Sequence, residues 1–113
     1  MSKNSRNKGA VGEREFAKLC REQGYECRRG QQFSGIEGED VVGLPGIHIE
    51  VKRVEALNVG IAMEQSVRDC QGKIPIVAHR KNGKPWLVTM LAEDWFGLFR
   101  EFDSGRLVQD TIS

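Results

Sequence analysis

Glu39-Asp40-Val41-Val42-Gly43-Leu44-Pro45-Gly46-Ile47-His48-Ile49-Glu50-Val51-Lys52 is the stretch that decides how this chain is read. Two short runs of β-branched residues flank Gly43-Leu44-Pro45-Gly46, the pattern of a strand, a tight turn and a second strand. Side chains alternate along a strand, so Ile47, Ile49 and Val51 face a core while His48, Glu50 and Lys52 share the opposite face. Glu50 and Lys52 then stand roughly 7 Å apart, and a hairpin brings the Asp40 carboxylate beside Glu50. Two carboxylates, a nearby backbone carbonyl (that of Val51) and water form an oxygen-rich cage suited to Mg²⁺, with Mn²⁺ as a substitute. A lysine beside it places fixed positive charge where negative charge develops during phosphodiester cleavage. The metal activates water, so no nucleophilic side chain is required. Glu-x-Lys alone is more often a solvent-facing pair on a half-exposed strand. The aspartate on the preceding strand and the acids on a preceding helix separate the two readings.

Outward from this hairpin, the order of elements is α-β-β-β-α-β-β-α, an α/β fold with a mixed sheet flanked by helices. Residues 11–23 are helical in period, with Phe16, Leu19 and Cys20 on one face and Arg14, Lys18 and Arg21 on the other. A short strand over residues 25–29 and a glycine-rich loop over 30–39 lead into the hairpin. Asn58 caps a second helix to about Cys70, with Val59, Met63, Val67 and Cys70 as its inner stripe. Strands at 74–79 and 86–90 flank an Asn82-Gly83 turn, and a third amphipathic helix covers 91–102. Trp86, Trp95, Phe96, Phe99 and Phe102 are expected in the core, with a dimer surface as the other use of the C-terminal aromatics. Residues 1–113 form one domain, with 1–8 expected as a flexible arm and 104–113 as a tail.

The chain has 113 residues, 17 Lys plus Arg against 16 Asp plus Glu, and a net charge of +1. Residues 1–31 nevertheless carry eight Lys/Arg and four Glu, whereas 91–113 carry two Arg and five Asp/Glu. That asymmetry fits one face turned towards a polyanion. No membrane-length apolar run and no secretory h-region are present, so the expected compartment is the cytoplasm. Three cysteines without metal-like spacing exclude a disulfide scaffold and a zinc ribbon.

Asp40 followed by Glu50-Val51-Lys52 in a hairpin resembles the PD-(D/E)xK nuclease signature, with Glu39 where that motif has proline. Lys8-Gly9-Ala10-Val11-Gly12-Glu13-Arg14-Glu15-Phe16 is similar to the first helix of archaeal and phage-type Holliday junction resolvases. The resemblance spans roughly residues 8–90. It implies a restriction-endonuclease-like fold and a metal-dependent endodeoxyribonuclease that cuts branched or four-way DNA junctions. It also implies a catalytic set of Glu13, Asp40, Glu50 and Lys52, with Glu13 completing the metal site directly, through water or at a second metal. The helical wheel alone does not choose between Glu13 and Glu15, since both flank the apolar stripe. Auxiliary candidates are Gln65, His48 and Ser34, and Phe33 either wedges into a distorted junction or folds back on the core.

Phosphate contacts are expected from Lys3, Arg6, Lys8, Arg14, Lys18, Arg28, Arg29, Arg53 and the hairpin tip of Arg80, Lys81 and Lys84, which His79 adjoins. Resolving a four-way junction takes two symmetric nicks, which implies a homodimer with a two-fold axis. Rival readings are a flap, nicking or recombination-linked nuclease of the same fold, an inert nucleic-acid-binding protein, and an α/β domain acting through protein contacts.

Overall fold

A computed structural model describes residues 2–30 and 39–112, with the side chains of 9–30 and 39–106. The elements are α1 (Ser2–Glu22), β1 (Arg28–Arg29), β2 (Val41–Val42), β3 (Ile47–Arg53), α2 (Val59–Asp69), β4 (Ile74–Arg80), β5 (Leu87–Met90) and α3 (Ala92–Ile112). Their order is the expected one. The five strands lie in chain order, β1-β2-β3-β4-β5, in one sheet. The pairs on either side of the centre are antiparallel, and β3 and β4 run parallel, joined across α2. The fold is therefore an α/β mixed sheet with helices against it, and no helix among the described residues is long and apolar enough to cross a membrane.

Alternation along the two central strands sorts the core into two layers. Ile49 and Val51 of β3, with Ile76 and Ala78 of β4, pack against Phe16, Ala17 and Cys20 of α1. Val77 faces the other way, against Ala62 and Met63 of α2. Helix α1 lies close on β3: a Cβ at Gly12 would come within 2.9 Å of the Arg53 Cβ. Only glycine permits that approach. Gly43 turns the β2–β3 hairpin at φ +125°, and a Cβ there would lie 2.4 Å from the Glu26 carbonyl oxygen.

Several expectations need correction. Helix α1 begins at Ser2, so residues 2–8 are helix and not a flexible arm. The segment has no proline, and once residues 11–22 are fixed by packing each further turn propagates cheaply, even without an apolar face. Likewise, α3 runs through the expected tail to Ile112. The strand expected over 25–29 forms only at Arg28–Arg29.

The Asn58 cap is found, its Oδ1 accepting from the Ile61 N–H at 3.1 Å. Yet the stripe that α2 buries is Ala62, Met63 and Ser66, while Val59 and Val67 are exposed. Ser66 decides that rotation by donating its hydroxyl to the Ile76 carbonyl at 2.9 Å, a bond that seats α2 on β4. Of the aromatics placed in the core, Trp86 packs on Phe16 with ring centroids 5.2 Å apart. Trp95, Phe96, Phe99 and Phe102 are exposed, because among the described residues α3 makes no more than marginal contact with the other elements.

Candidate active site

β2 and β3 register through Val41 opposite Ile49. One residue back along β2 stands Asp40 and one residue forward along β3 stands Glu50, so the antiparallel geometry sets these two side chains face to face. Asp40 is fixed by its Oδ2, which accepts the Val51 N–H at 2.8 Å. In a strand the N–H and C=O of one residue project to the same edge. The Val51 carbonyl therefore faces the edge on which Asp40 sits. Lys52 follows on the Glu50 face, half-buried.

The electrostatics reflect the crowding of acids. Burial pushes the Asp40 carboxyl up from 3.8 to about 6, and the Glu50 charge adds to the rise. The Val51 bond and the Lys52 ammonium oppose it without cancelling it. Glu13 on α1 lies within electrostatic reach of Asp40; burial raises its carboxyl, opposed mainly by the Arg29 hydrogen bond. That bond runs from Arg29 Nε to Glu13 Oε1 at 3.0 Å.

Glu15 is placed differently. It accepts from Arg53 Nε at 2.8 Å and lies 3.5 Å from an Arg80 guanidinium nitrogen. Two cations neutralise it, whereas Glu13 has one paired cation and an acid as neighbours. The structure thus separates two residues that the helical wheel leaves equivalent.

His48 is 2% exposed and Glu50 3% exposed. The imidazole Nε2 stands 2.9 Å from Glu50 Oε1, and its Nδ1 stands 3.7 Å from Glu39 Oε1. Lys73, from the turn before β4, bonds that same Glu39 oxygen. Neither Glu39 nor Lys73 was singled out from sequence as a contributor here. Glu39 stood only where the motif has a proline, and Lys73 is distant in the chain.

Gln65 is half-buried on α2 beside Ser66. Ser34 and Phe33 lie outside the described residues, as do the side chains of Lys3, Arg6 and Lys8. Arg14, Lys18, Arg28, Lys81 and Lys84 are on the surface, while Arg29, Arg53 and Arg80 are already engaged by Glu13 and Glu15. Past Lys52, its β4 neighbour His79 opens onto a cleft of about 920 Å³ that Arg80, Lys81 and Lys84 also line. Burial lowers the pKa of His79, and its Nε2 stands 2.8 Å from the Thr89 hydroxyl.

Among the described residues, no three His, Cys, Asp or Glu side chains form a metal cage by themselves. The donor set here is two carboxylates and a backbone carbonyl. It suits Mg²⁺, which takes one or two carboxylates and keeps water and substrate oxygens for its remaining positions.

The mixed sheet, its parallel centre and the acids at the β2–β3 hairpin define a restriction-endonuclease-like α/β fold. Among solved structures the chain is similar to the 1.6 Å structure of Hjc from Archaeoglobus fulgidus, a Holliday junction resolvase from an archaeal hyperthermophile. The TM-score is 0.54 at 23% identity, over 71% of this chain and 74% of that one. The likeness is one of fold. No protein family and no curated protein matches the sequence.

Proposed function

We propose that the protein is a Mg²⁺-dependent endodeoxyribonuclease that resolves four-way DNA junctions by paired symmetric nicks. The observation that carries this reading is Asp40 set opposite Glu50 with Lys52 alongside, on a fold shared with a junction resolvase. Asp40, Glu50 and the Val51 carbonyl would hold the metal, and Glu13 would act through water or a second ion. Bound there, Mg²⁺ would polarise the phosphate and lower the pKa of the attacking water. Lys52 stabilises negative charge at the phosphate as the bond breaks. Asp40 and Glu50 repel a phosphate when no metal is bound, so they keep the site selective for the metal-loaded state. The cleft beyond His79, with Lys81 and Lys84 on its wall, gives a DNA strand a path away from the site.

The working form is a homodimer, because two symmetric nicks need two sites related by a two-fold axis. The exposed aromatic face of α3 (Trp95, Phe96, Phe99 and Phe102) offers the apolar surface for it. Labelled four-way junction, duplex, flap and single strand, each incubated with protein with and without Mg²⁺, test the proposal. Paired nicks confined to the junction and abolished by EDTA are expected. Cleavage undiminished in excess EDTA would overturn it. A monomer that stays monomeric on junction DNA in sedimentation, and cuts flaps or duplex equally well, would replace it with a nicking enzyme.

A further inference from the structure

The metal-site reading uses Glu50 but gives no reason for the buried polar groups behind it. Glu39 is 9%, His48 2% and Glu50 3% exposed. On the β4 side their neighbours are apolar: in the parallel register, His48 lies beside Pro75 and Glu50 beside Val77. Ionisable side chains in such surroundings are costly unless they are paired, and a well-packed apolar set would hold the sheet at least as well. Here the pairing is consecutive. Lys73 bonds Glu39, Glu39 faces His48 Nδ1, and His48 Nε2 meets Glu50 Oε1. The row starts at Lys73, whose side chain is 48% exposed, and ends at a carboxylate beside Asp40.

We propose that His48 is a positioning residue for the metal-binding Glu50, with Glu39, anchored by Lys73, against the far edge of its ring. The inference rests on the metal-site reading of Asp40 and Glu50. The imidazole Nε2–H donates to Oε1, which fixes the rotation of the carboxylate and the direction in which its remaining lone pairs point. Glu39 Oε1 lies 3.7 Å from the ring's Nδ1, against its other edge and beyond hydrogen-bond length, and Lys73 ties Glu39 to the β4 side of the sheet. Supporting contacts of this kind behind a metal ligand are worth about 10- to 100-fold in metal affinity. None of these three residues touches the substrate in this scheme. Each acts through Glu50.

The test is Mn²⁺ binding to the protein alone, without DNA, followed by the free Mn²⁺ signal in electron paramagnetic resonance. His48→Leu fills the space and removes the donor, and it should weaken Mn²⁺ binding about 10- to 100-fold. His48→Gln returns a donor near the Nε2 position and should recover much of that loss. Glu39→Gln should weaken binding by a smaller factor. In a Glu50→Gln background, His48→Leu should cost nothing further, because the group it positions is gone. A merely structural role would instead lower the melting temperature of every His48 variant and leave Mn²⁺ affinity of the folded protein unchanged. Should His48→Leu not fold, by circular dichroism, Glu39→Gln and His48→Gln are compared in the same assay. Wild-type affinity for Glu39→Gln together with tight binding by every folded His48 variant overturns the proposal, while loss on Glu50→Gln keeps the metal site. Absence of Mn²⁺ binding by the wild-type protein removes the metal-site reading and this inference with it.

Discussion

Two clusters of charge sit around β3, and they are built on opposite plans. On the α1 side, Glu15 lies between Arg53 and Arg80, one acid with two cations. On the β2 side, Asp40 faces Glu50, with Glu39 and His48 behind them and Lys52 beside them. The alternation of a single strand produces the split, since Arg53 belongs with Ile49 and Val51 while His48, Glu50 and Lys52 turn the other way. In the first cluster the acid is answered twice over, which is what a fold needs. In the second, an acid is held beside an acid in a partly desolvated place, and the Asp40 carboxyl rises to about 6. Acids held against each other do not stabilise the free protein. They make sense where a cation is to be bound.

The largest expected effect breaks the second cluster outright. On the proposed reading, Asp40→Asn and Glu50→Gln remove metal ligands and repulsion together. Junction cleavage should fall to background, while junction binding measured in EDTA is preserved or tightened. Gel-shift and cleavage assays on the same preparations read both quantities. If neither substitution alters cleavage, the site is elsewhere.

Lys52→Ala comes next. If Lys52 faces the phosphate as proposed, its loss should slow cleavage by roughly 10²–10³, with little change in DNA affinity. An affinity loss equal to the rate loss would make Lys52 a simple phosphate contact.

The second cluster was more legible in the sequence than the first, and the reason is locality. Asp40, Glu50 and Lys52 fall within one hairpin, so a period of two and a turn suffice to bring them together. The pairing of Glu15 with Arg53 and Arg80 spans three elements, and it depends on α1 lying close enough on β3 to require Gly12. No sequence period encodes that. The same limit applies to Lys73 with Glu39, which meet only because β3 and β4 are adjacent and parallel. Helix α2 was found with its cap, yet its buried stripe was misjudged. The rotation is set by a hydrogen bond from Ser66, a residue hydropathy does not place inside. Helix α3 shows the opposite failure: aromatics at helical spacing signal burial, but among the described residues of this chain nothing covers them.

A third expectation turns the contrast into a stability measurement on metal-free protein. The folded Asp40 carboxyl, at about 6, lies above its ordinary 3.8. The fold therefore favours the protonated form. That contribution is complete below about pH 4 and is lost as pH rises through about 6. The amide introduced by Asp40→Asn does not titrate, and its oxygen can still accept the Val51 N–H. In EDTA, Asp40→Asn should come close to the wild type at or below about pH 4 and exceed it by about 3 kcal/mol above about pH 7. Urea melts across that range check it. A constant difference at all pH values would mean that the fold does not work against the Asp40 charge.

The smallest effects separate the two acids of α1, and with them the two clusters. Glu13 lies near Asp40, so Glu13→Gln should reduce cleavage about tenfold, less than loss of a direct ligand, as expected for a group acting through water or a second ion. Glu15→Gln should leave cleavage near wild type, because that carboxylate is already committed to Arg53 and Arg80. Its effect belongs to stability. The lost charge leaves two partly buried guanidinium groups short of a partner, and the Arg80 Nε is buried without one already. A loss of about 1 kcal/mol is expected in urea melts, diminishing with added salt as the remaining charges are screened. The pair of substitutions is sharper than either alone. If Glu15→Gln abolishes cleavage while Glu13→Gln is silent, the cation-balanced cluster is part of the active site. The division of β3 into a face that holds the fold and a face proposed to hold the metal would then be wrong.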